Sequence, residues 1–361
     1  MADGRIHNPP HQDLPSAGST GSKFLLGGTA FLTSVEHREL AMALDNGLAR
    51  VENGLRRELT FTHEVADSVG RYLFEAGGKR VRPLLALLTS QWGQGINEKT
   101  IIAAQVVELT HLATLYHDDV MDEAVKRRGV TSAHKVWTNS VAIIAGDLLF
   151  ARAGSLGVAL GENAMRRQTE TFERLVLGQL RETVGPNDGE DPVEHYLKVL
   201  EDKTGSLIAL SGELGLTQAG APDEYVSPIR SFGEKIGIAF QLLDDVLDLS
   251  ADERQTGKRA GTDIRRGVAT LPMLLLKQEA AVDLESERLL ETLERGRRGQ
   301  LGDVAFSRAV DKLNLHGVTE RTRNYARQFA DGAIEHLSEL PQDLISQALC
   351  RFADQVVSRK N

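Results

Sequence analysis

The amino-acid sequence predicts an all-α protein. Apolar residues recur with helical spacing in nearly every segment beyond residue 30, runs of β-branched residues with a period of two are absent, and helix-start signals recur along the chain. The composition, 41% hydrophobic and 26% charged, is that of a globular protein with a sizeable core. We therefore expect a bundle of helices.

Capping residues mark the predicted helix starts. Thr33 and Glu36 form a capping box before an amphipathic stretch that runs to about Leu59. Asp191 precedes Pro192, which is typical of an N-cap followed by proline at the first helical position. Further helix starts are predicted at Asn97, Asn139 and Pro222. Loops are predicted at Gly77-Gly78, Gly185-Pro186 and Gly257 to Gly267.

The chain has 361 residues, which is long enough for two domains, but length is a weak guide to domain number. No linker rich in proline, glycine or serine divides the sequence after residue 30, and no repeat of solenoid length is visible. Residues 1–30 mix small and polar residues without periodicity. We predict a disordered tail at residues 1–30 and one all-α domain at residues 31–361.

Composition excludes several classes of protein. The net charge of -9 argues against nucleic-acid binding, which requires a basic face. No segment reaches 18 uninterrupted apolar residues, and the first residues lack the pattern of a secretion signal. The single cysteine, Cys350, allows neither an internal disulfide nor a cysteine-based zinc site. We expect a cytoplasmic protein without a transmembrane segment.

Two aspartate-rich pentads carry the strongest chemical signal, Asp118-Asp119-Val120-Met121-Asp122 and Asp244-Asp245-Val246-Leu247-Asp248. In each, the first and last carboxylates share one face of a helix, where like charges repel. Mg²⁺ relieves this repulsion, since it binds one or two carboxylates and completes its shell with water and phosphate oxygens. An isolated acidic pair is usually a solvated helix face. Both pentads lie in apolar stretches, where unpaired carboxylates are costly to bury, so their repetition predicts a cradle for metal-bound diphosphate.

Positive charges accompany the acidic pentads. The segment Gly77-Gly78-Lys79-Arg80-Val81-Arg82-Pro83 places three cations after a diglycine, at a helix start that favours an anion. Arginine offers a planar fork to phosphate oxygens, and lysine offers a point charge. Arg127 and Arg128 follow the first pentad and Lys258 follows the second. Alone, such a segment could be a basic helix start on the surface, but with the pentads it indicates a diphosphate site.

These motifs occur in the order and spacing of a known family. The Gly77 to Pro83 segment, both pentads and the cations after them, together with Gly146-Asp147, Lys203-Thr204 and Gln241, resemble the trans-isoprenyl (polyprenyl) diphosphate synthases, and those of long-chain type in particular. The resemblance runs from about residue 40 to the C-terminus. It implies an all-α bundle around a central cavity, the isoprenoid synthase fold, usually as a homodimer. It also implies that an allylic diphosphate is elongated by isopentenyl diphosphate with two or three Mg²⁺ ions.

The resemblance assigns the functional residues to groups. The metal-binding and catalytic carboxylates are Asp118, Asp119, Asp122, Asp244, Asp245 and Asp248, and the catalytic cations are Arg127, Lys203 and Lys258. The residues that match the isopentenyl diphosphate pocket are Lys79, Arg82, His111 and Arg128. The residues that match the allylic diphosphate contacts are Arg127, Lys203, Thr204, Gln241 and Lys258.

The residue chemistry agrees with this assignment. Loss of diphosphate develops negative charge on the leaving group, which metal ions and fixed cations stabilise. The resulting allylic cation needs an apolar cavity that excludes water, and helices rich in leucine, valine and alanine supply one. No strong protein base is evident, and the resemblance suggests released diphosphate as the proton acceptor.

Three neighbours of the pentads have two interpretations. His111 lies two helical turns before Asp118, and a lone histidine there is usually a core residue, whereas the resemblance favours a phosphate contact. His117 has a weaker claim, and local hydrogen bonding is enough to explain it. Phe240 suits core packing and a cation-shielding wall equally well.

One position departs from the family pattern. Val268 stands where many members carry a further lysine. Either the allylic diphosphate has one contact fewer, or Arg265 or Arg266 substitutes.

Two small residues bear on product length. Ala113 and Thr114 lie at the fifth and fourth positions before the first pentad, where short-chain members of the family carry a large aromatic residue that closes the tunnel. We therefore expect an open tunnel and an all-trans product longer than geranylgeranyl diphosphate, suited to a quinone side chain such as that of menaquinone. Tyr116 is bulky and close, and we expect its ring to point away from the tunnel. Release of such a product would involve contact with the membrane surface.

Other readings remain open at this point. A short-chain synthase for farnesyl or geranylgeranyl diphosphate is one alternative. A class I terpene cyclase usually replaces the second pentad and lacks the Gly-Gly-Lys-Arg cluster, both of which are present here. A non-catalytic subunit of a heteromeric synthase would be expected to lose aspartates or phosphate-binding cations.

Overall fold

The structure is a computed structural model that describes Thr29, Leu32 and residues 37–250 and 260–358. The chain divides into two compact units. The N-terminal unit comprises Met1–Thr169 and Leu210–Val226. The C-terminal unit comprises Glu170–Ala209 and Ser227–Asn361.

The N-terminal unit is built from helices around a central buried helix, α4. Its complete helices are α1 (Arg38–Glu58), α2 (Glu64–Glu75), α3 (Val81–Thr89), α4 (Glu98–Met121), α5 (Ala133–Val136) and α6 (Asn139–Val158). Two helices cross the boundary to the C-terminal unit, α7 (Glu162–Val184) and α9 (Ser206–Gln218). Short 3₁₀ turns occupy Ser90–Trp92 and Asp223–Tyr225.

Helix α4 owes its central position to its sequence. It is apolar on nearly all sides, and most of its residues are buried, as expected for a helix without a polar face. Its start is fixed by a capping box, in which the Thr100 N–H donates to Asn97 Oδ1 (3.0 Å) and the Asn97 N–H donates to Thr100 Oγ1 (2.9 Å). Helices α1, α3 and α6 pack against it. The first aspartate pentad lies at its C-terminal end.

Helix α6 is the most apolar long helix among the described residues. By length and composition alone it could cross a membrane, because it has 20 residues and its most apolar 18-residue stretch has a mean hydropathy of 1.6. Of that stretch, 33% is buried. It lies along α4, and Gly146 permits this close packing, since a Cβ there would approach His117 Nε2 to 2.2 Å. The glycine of the Gly146-Asp147 motif therefore has a packing role.

A two-stranded hairpin follows α4 and was not predicted. Strands β1 (Lys126–Arg127) and β2 (Val130–Thr131) pair antiparallel, with Arg127 opposite Val130. Both residues of the connecting turn, Arg128 (φ 52°) and Gly129 (φ 81°), are left-handed, which matches a type I′ turn.

The C-terminal unit carries the second aspartate pentad on a long helix, α10 (Val226–Leu249). The other helices are α8 (Pro192–Leu200), α11 (Thr262–Arg266), α12 (Leu271–Ala280), α13 (Leu284–Arg297), α14 (Asp303–Leu315), α15 (Gly317–Leu337) and α16 (Leu344–Val357). A π-helical turn, Glu201–Gly205, joins α8 to α9.

The all-α prediction is confirmed, and most helix boundaries agree with it. Asp191 caps α8 by accepting from the N–H groups of Val193 (2.8 Å) and Glu194 (2.9 Å). Helix α6 begins at Asn139, with Thr138 as its N-cap. The predicted capping box at Thr33 and Glu36 lies outside the described residues, as does most of the predicted tail.

Part of the predicted loop from Gly257 to Gly267 was assigned wrongly, because residues 262–266 form the short helix α11. Left-handed glycines flank it, Gly261 (φ 72°) and Gly267 (φ 78°), and glycine adopts this conformation without strain. The Asp263 N–H donates to Asp248 Oδ2 (3.1 Å), which ties the start of α11 to the second pentad. The division into one domain and a tail stays a prediction.

Candidate active site

The first pentad retains helical geometry to its last residue. The Asp122 N–H donates to the Asp118 carbonyl (2.8 Å), so these two carboxylates are one turn apart at the end of α4. Asp118 is half-buried and Asp122 is exposed. The arrangement inferred from the sequence is therefore present.

The middle carboxylate of this pentad has a different environment. Asp119 is completely buried, and its Oδ1 accepts from Arg127 Nε at 2.7 Å. Asp119 Oδ2 is buried with no hydrogen-bond partner among the described residues. Burial raises the pKa of Asp119, and the Arg127 guanidinium opposes this rise. Asp119 thus holds Arg127, and with it strand β1, beside the end of α4.

The second pentad repeats this pattern in the C-terminal unit. Asp245 is buried and accepts from the Tyr196 hydroxyl (2.7 Å) and the Leu271 N–H (3.1 Å). Burial raises the pKa of Asp245 to about 8, although these two bonds lower it. Asp244 and Asp248 are half-buried. In each pentad the middle aspartate faces the protein, and the first and last aspartates have more access to solvent.

A cluster of cations occupies the N-terminal unit near His111. Arg82 Nε is buried with no hydrogen-bond partner among the described residues, while Arg128 Nη1 donates to the carbonyls of Leu73 (2.8 Å) and Gly77. Burial lowers the pKa of His111 well below its ordinary value, and the charges of Arg82 and Arg128 lower it further. The structure therefore brings together three of the four residues matched to the isopentenyl diphosphate pocket. The fourth, Lys79, lies on the loop between α2 and α3.

The hairpin that supplies Arg127 and Arg128 is anchored to α2. The Tyr72 hydroxyl donates to the Thr131 carbonyl (2.7 Å), and the Tyr72 ring meets the Trp137 ring edge-on at 5.2 Å. This anchoring fixes both arginines relative to α2 and α4.

Lys203 and Thr204 lie in the π-helical turn, the kind of local distortion that often marks functional sites. Lys203 Nζ bonds to Glu182 Oε2 at 2.6 Å, and Thr204 is buried. The turn is held by Asp202, which is buried and pairs with Arg174 (3.0 Å) and Arg181.

Close packing also supports this turn. A Cβ at Gly178 would lie 2.9 Å from the backbone nitrogen of Lys203, so only glycine lets α7 approach the π-helical turn so closely. Gln241 is half-buried on α10, one turn before the second pentad, and Lys258 lies outside the described residues.

The remaining sequence-derived residues are placed as follows. His117 Nε2 lies 2.9 Å from the Ile143 carbonyl and 3.5 Å from Asp147 Oδ1, so it is engaged locally. Phe240 is half-buried. Arg265 pairs with Asp303 (3.0 Å) and lies 4.1 Å above the Phe306 ring, whereas Arg266 and Val268 are exposed.

The residues that bear on product length lie on α4. Ala113 is completely buried, and the Thr114 hydroxyl donates to the His111 carbonyl (2.7 Å). Tyr116 is also buried; its hydroxyl donates to the Val69 carbonyl and accepts from the Leu73 N–H (3.2 Å). Its ring is therefore tied to α2.

Sequence reasoning missed several residues that support the site. Glu108 was visible as an acidic residue in an apolar helix, three positions before His111, and it is buried beside Arg80 (2.9 Å). Tyr196 and Asp202 gave no comparable signal, because a tyrosine on an amphipathic helix and an aspartate among charged residues are ordinary features.

The carboxylates of the two pentads are the candidate donors for a divalent cation. Among the described residues, no group of three or more histidine, cysteine, aspartate or glutamate side chains could hold a metal by itself. Each pentad instead offers two carboxylates one helical turn apart. This fits Mg²⁺, which takes one or two carboxylates and relies on water and phosphate for the rest.

Comparisons with known proteins agree with this geometry. The family described as polyprenyl synthetase matches residues 63–307. Nonaprenyl diphosphate synthase of Mycobacterium tuberculosis is 42% identical over 321 residues, which cover 88% of this chain and 94% of that protein.

Solved structures give the same result. A polyprenyl synthase from Caulobacter crescentus, complexed with calcium and isoprenyl diphosphate, aligns with a TM-score of 0.81 at 31% identity, over 91% of this chain and 98% of the other. A geranylgeranyl pyrophosphate synthase from Corynebacterium glutamicum aligns with a TM-score of 0.76 at 39% identity, over 89% and 97%. The chain therefore belongs to the polyprenyl synthetase family, and it is a prenyltransferase with the all-α isoprenoid synthase fold.

Proposed function

We propose that this protein is a Mg²⁺-dependent trans-polyprenyl diphosphate synthase that condenses isopentenyl diphosphate with an allylic diphosphate. The observation that carries this proposal is the shared layout of the two pentads. In each, the middle carboxylate is buried, and the outer two lie one turn apart with more access to solvent. Two acidic pairs so arranged suit a metal-bound diphosphate.

All six aspartates belong to the proposed metal site, with different tasks. Asp118, Asp122, Asp244 and Asp248 would hold two or three Mg²⁺ ions, while Asp119 and Asp245 orient the pentads through Arg127 and Tyr196. When bound, the ions neutralise the charge that develops on the leaving diphosphate. The complex of the Caulobacter crescentus relative with calcium and isoprenyl diphosphate supports a divalent-metal site.

The isopentenyl diphosphate group is assigned to Lys79, Arg82, His111 and Arg128. Arg82 Nε is buried and has no hydrogen-bond partner within residues 37–250 and 260–358, so it is suited to a phosphate oxygen. The lowered pKa keeps His111 neutral, so its ring offers one N–H donor. The allylic diphosphate is assigned to Arg127, Lys203, Thr204, Gln241 and Lys258.

The proposed reaction begins with loss of diphosphate from the allylic substrate. Cations on the allylic diphosphate stabilise the charge that develops as the carbon–oxygen bond breaks. The double bond of isopentenyl diphosphate attacks the allylic cation, forming a carbon–carbon bond, and the released diphosphate takes the proton that is lost. Apolar helices exclude water, which would otherwise quench the cation.

We assign a long-chain, all-trans product that serves as a quinone side chain, such as that of menaquinone. Small side chains at Ala113 and Thr114 support this, as does the 42% identity to a nonaprenyl diphosphate synthase. A short-chain synthase is the second candidate, since a relative at 39% identity is a geranylgeranyl pyrophosphate synthase.

We further assign a homodimer that acts in the cytoplasm and contacts the membrane surface when it releases its product. Helix α6 supports the dimer, because it exposes Ile143 (43%) and Ile144 (64%) on an apolar helix. A second copy of the chain would cover this face.

The test is condensation by the purified full chain. With Mg²⁺, radiolabelled isopentenyl diphosphate and farnesyl or geranylgeranyl diphosphate, we expect label in an organic-soluble product. EDTA should abolish incorporation, and excess Mg²⁺ should restore it. Incorporation that is unchanged in EDTA would contradict the metal requirement, and none with any primer would contradict the activity.

A further inference from the structure

Arg80 is the one cation of the Gly77 to Pro83 segment that is turned entirely into the protein. Its side chain is only 4% exposed, and its backbone is left-handed (φ 50°) at the start of α3. Few residues other than glycine adopt this conformation without strain. Its side-chain contacts must therefore compensate for the strain.

All three guanidinium nitrogens of Arg80 bond to protein. Nε donates to Glu52 on α1, and Nη1 donates to Glu108 on α4 (2.9 Å) and to the Gly77 carbonyl (3.3 Å). Nη2 donates to the Phe74 carbonyl at the end of α2 (3.3 Å). The guanidinium carbon also lies 4.8 Å above the centre of the Phe74 ring. Arg80 thus joins α1, α2 and α4 and uses four of its five N–H groups for these bonds.

Glu108 is the buried anion of this cluster, with 2% of its surface exposed. Its Oε1 lies 2.9 Å from Arg80 and 3.9 Å from Arg128. Its charge also favours the charged form of Arg82 and opposes the lowering of the Arg82 pKa by burial. Three guanidinium groups face two carboxylates, Glu52 and Glu108, which leaves one positive charge in excess. Removing Glu108 would leave Glu52 as the remaining carboxylate of this cluster, so repulsion among the three guanidinium groups would increase.

The diglycine closes onto the same cluster. Arg80 and Arg128 both donate to the Gly77 carbonyl. A Cβ at Gly78 would lie 2.5 Å from Arg80 Nη1 and 2.9 Å from Arg128 Cζ, so only glycine fits. The loop that carries Lys79 is therefore shaped by Arg80.

We propose that Arg80 and Glu108 form a buried clamp that positions Arg82 and Arg128 for the diphosphate of isopentenyl diphosphate, without touching the substrate. This rests on the proposed function, since it presumes that Arg82 and Arg128 bind that substrate. Both are positioning residues. Their loss should weaken the binding of isopentenyl diphosphate and leave the binding of the allylic diphosphate nearly unchanged.

The first test uses Glu108→Gln and Arg80→Lys in the full chain. Each should raise the KM for isopentenyl diphosphate roughly 10-fold or more, the scale for a lost charged hydrogen bond, and change the KM for the allylic primer less than about 2-fold. Arg80→Lys keeps the charge but loses the fork. A normal KM in this variant would mean that Arg80 acts by charge alone, and would overturn the clamp.

Arg56→Gln is the matched control. Arg56 lies 5.6 Å from the centre of the same Phe74 ring and 3.8 Å from Glu52. It is half-exposed, and its contacts among the described residues include neither Gly77 nor Glu108. We expect its KM values to equal those of the wild type. An equal rise in Arg56→Gln would show a general effect of losing charge on α1, and would contradict the assignment.

Breaking one side of a buried ion pair can prevent folding, so a double variant completes the design. Arg80→Met with Glu108→Gln removes one charge of each sign, and Glu52, which loses Arg80, keeps Arg56 at 3.8 Å. It should fold, as shown by circular dichroism, and still bind isopentenyl diphosphate roughly 10-fold more weakly by calorimetry without metal or primer. Wild-type affinity in the folded double variant overturns the clamp. Failure of the wild-type chain to condense the substrates would instead refute the proposed function.

Discussion

At the scale of single residues, the middle aspartate of each pentad differs from its neighbours. Asp119 and Asp245 are buried and bonded to Arg127 and Tyr196, whereas Asp118 and Asp244 are half-buried. The spacing in the sequence indicated that each pentad places its carboxylates at one end of a helix. It did not indicate which carboxylate is buried, because Arg127 and Tyr196 contact the pentads from other elements.

Removing an outer carboxylate should therefore lower turnover most. We expect Asp118→Ala or Asp244→Ala to lower turnover by about 10²-fold or more, the scale for losing a preorganised electrostatic group. Tyr196→Phe, which only frees Asp245, should lower it by roughly 10-fold. Asp331→Ala, at an exposed site on α15, is the control. Wild-type turnover in either outer variant would refute the metal assignment.

The two diphosphates should respond to different residues. Arg82→Gln is expected to raise the KM for isopentenyl diphosphate, and Lys203→Gln the KM for the allylic primer, each by about 10-fold with a smaller effect on the other substrate. Steady-state kinetics in which the two substrates are varied separately measures this. Indistinguishable effects from the two variants would contradict the partition.

His111 should make stability depend on pH. Its pKa in the folded chain is well below the ordinary 6.5, so as pH falls through about 6.5 the unfolded chain takes up the proton first and folding loses stability. His111→Gln should lack this loss. When the pH falls from about 7.5 to 5.5, the free energy of unfolding of the wild type should therefore decrease by about 1 kcal/mol more than that of the variant.

Urea unfolding at both pH values measures this difference. The same comparison between about pH 7.5 and 8.5 serves as the control, because the unfolded histidine is neutral throughout that range. A difference that stays constant down to pH 5.5 would show that the pKa of His111 is not lowered.

At the scale of elements, the sequence was most informative about helices and least about departures from them. Capping residues such as Asn97 and Asp191 act locally, so their helices begin where predicted. The hairpin around Arg128 escaped because its strands have only two residues each, too few to show a pattern. Helix α11 escaped because its start depends on Asp248, which is distant in sequence.

The π-helical turn also depends on distant partners. Asp202 pairs with Arg174 and Arg181 on α7, and these bonds compensate for the irregular backbone that presents Lys203. We expect Asp202→Asn to raise the KM for the allylic primer by about 10-fold and that for isopentenyl diphosphate by less than about 2-fold. Glu173→Gln, an exposed change on α7, controls for lost charge. Equal effects on both substrates would contradict a local role for the turn.

At the scale of the whole molecule, the family and fold could be predicted because motifs in fixed order span both units of the chain. Product length was harder to predict, since it depends on which side chains close a tunnel, and a sequence shows only the residues near the pentad. Ala113 and Thr114 are small, and Tyr116 is bonded to α2 through Val69 and Leu73. Under the proposed function, these residues would not obstruct a chain that grows past the first pentad, and burying each added isoprene unit would contribute about 25 cal/mol per Å² of apolar surface.

The most direct test of the account is chromatography of the dephosphorylated products made by the wild type and by Ala113→Tyr. We predict that the wild-type product exceeds geranylgeranyl in length and that the tyrosine variant, with a large side chain before the pentad, makes shorter chains. Circular dichroism of the variant checks that it remains folded. A wild-type product that stops at three or four isoprene units would contradict the long-chain assignment.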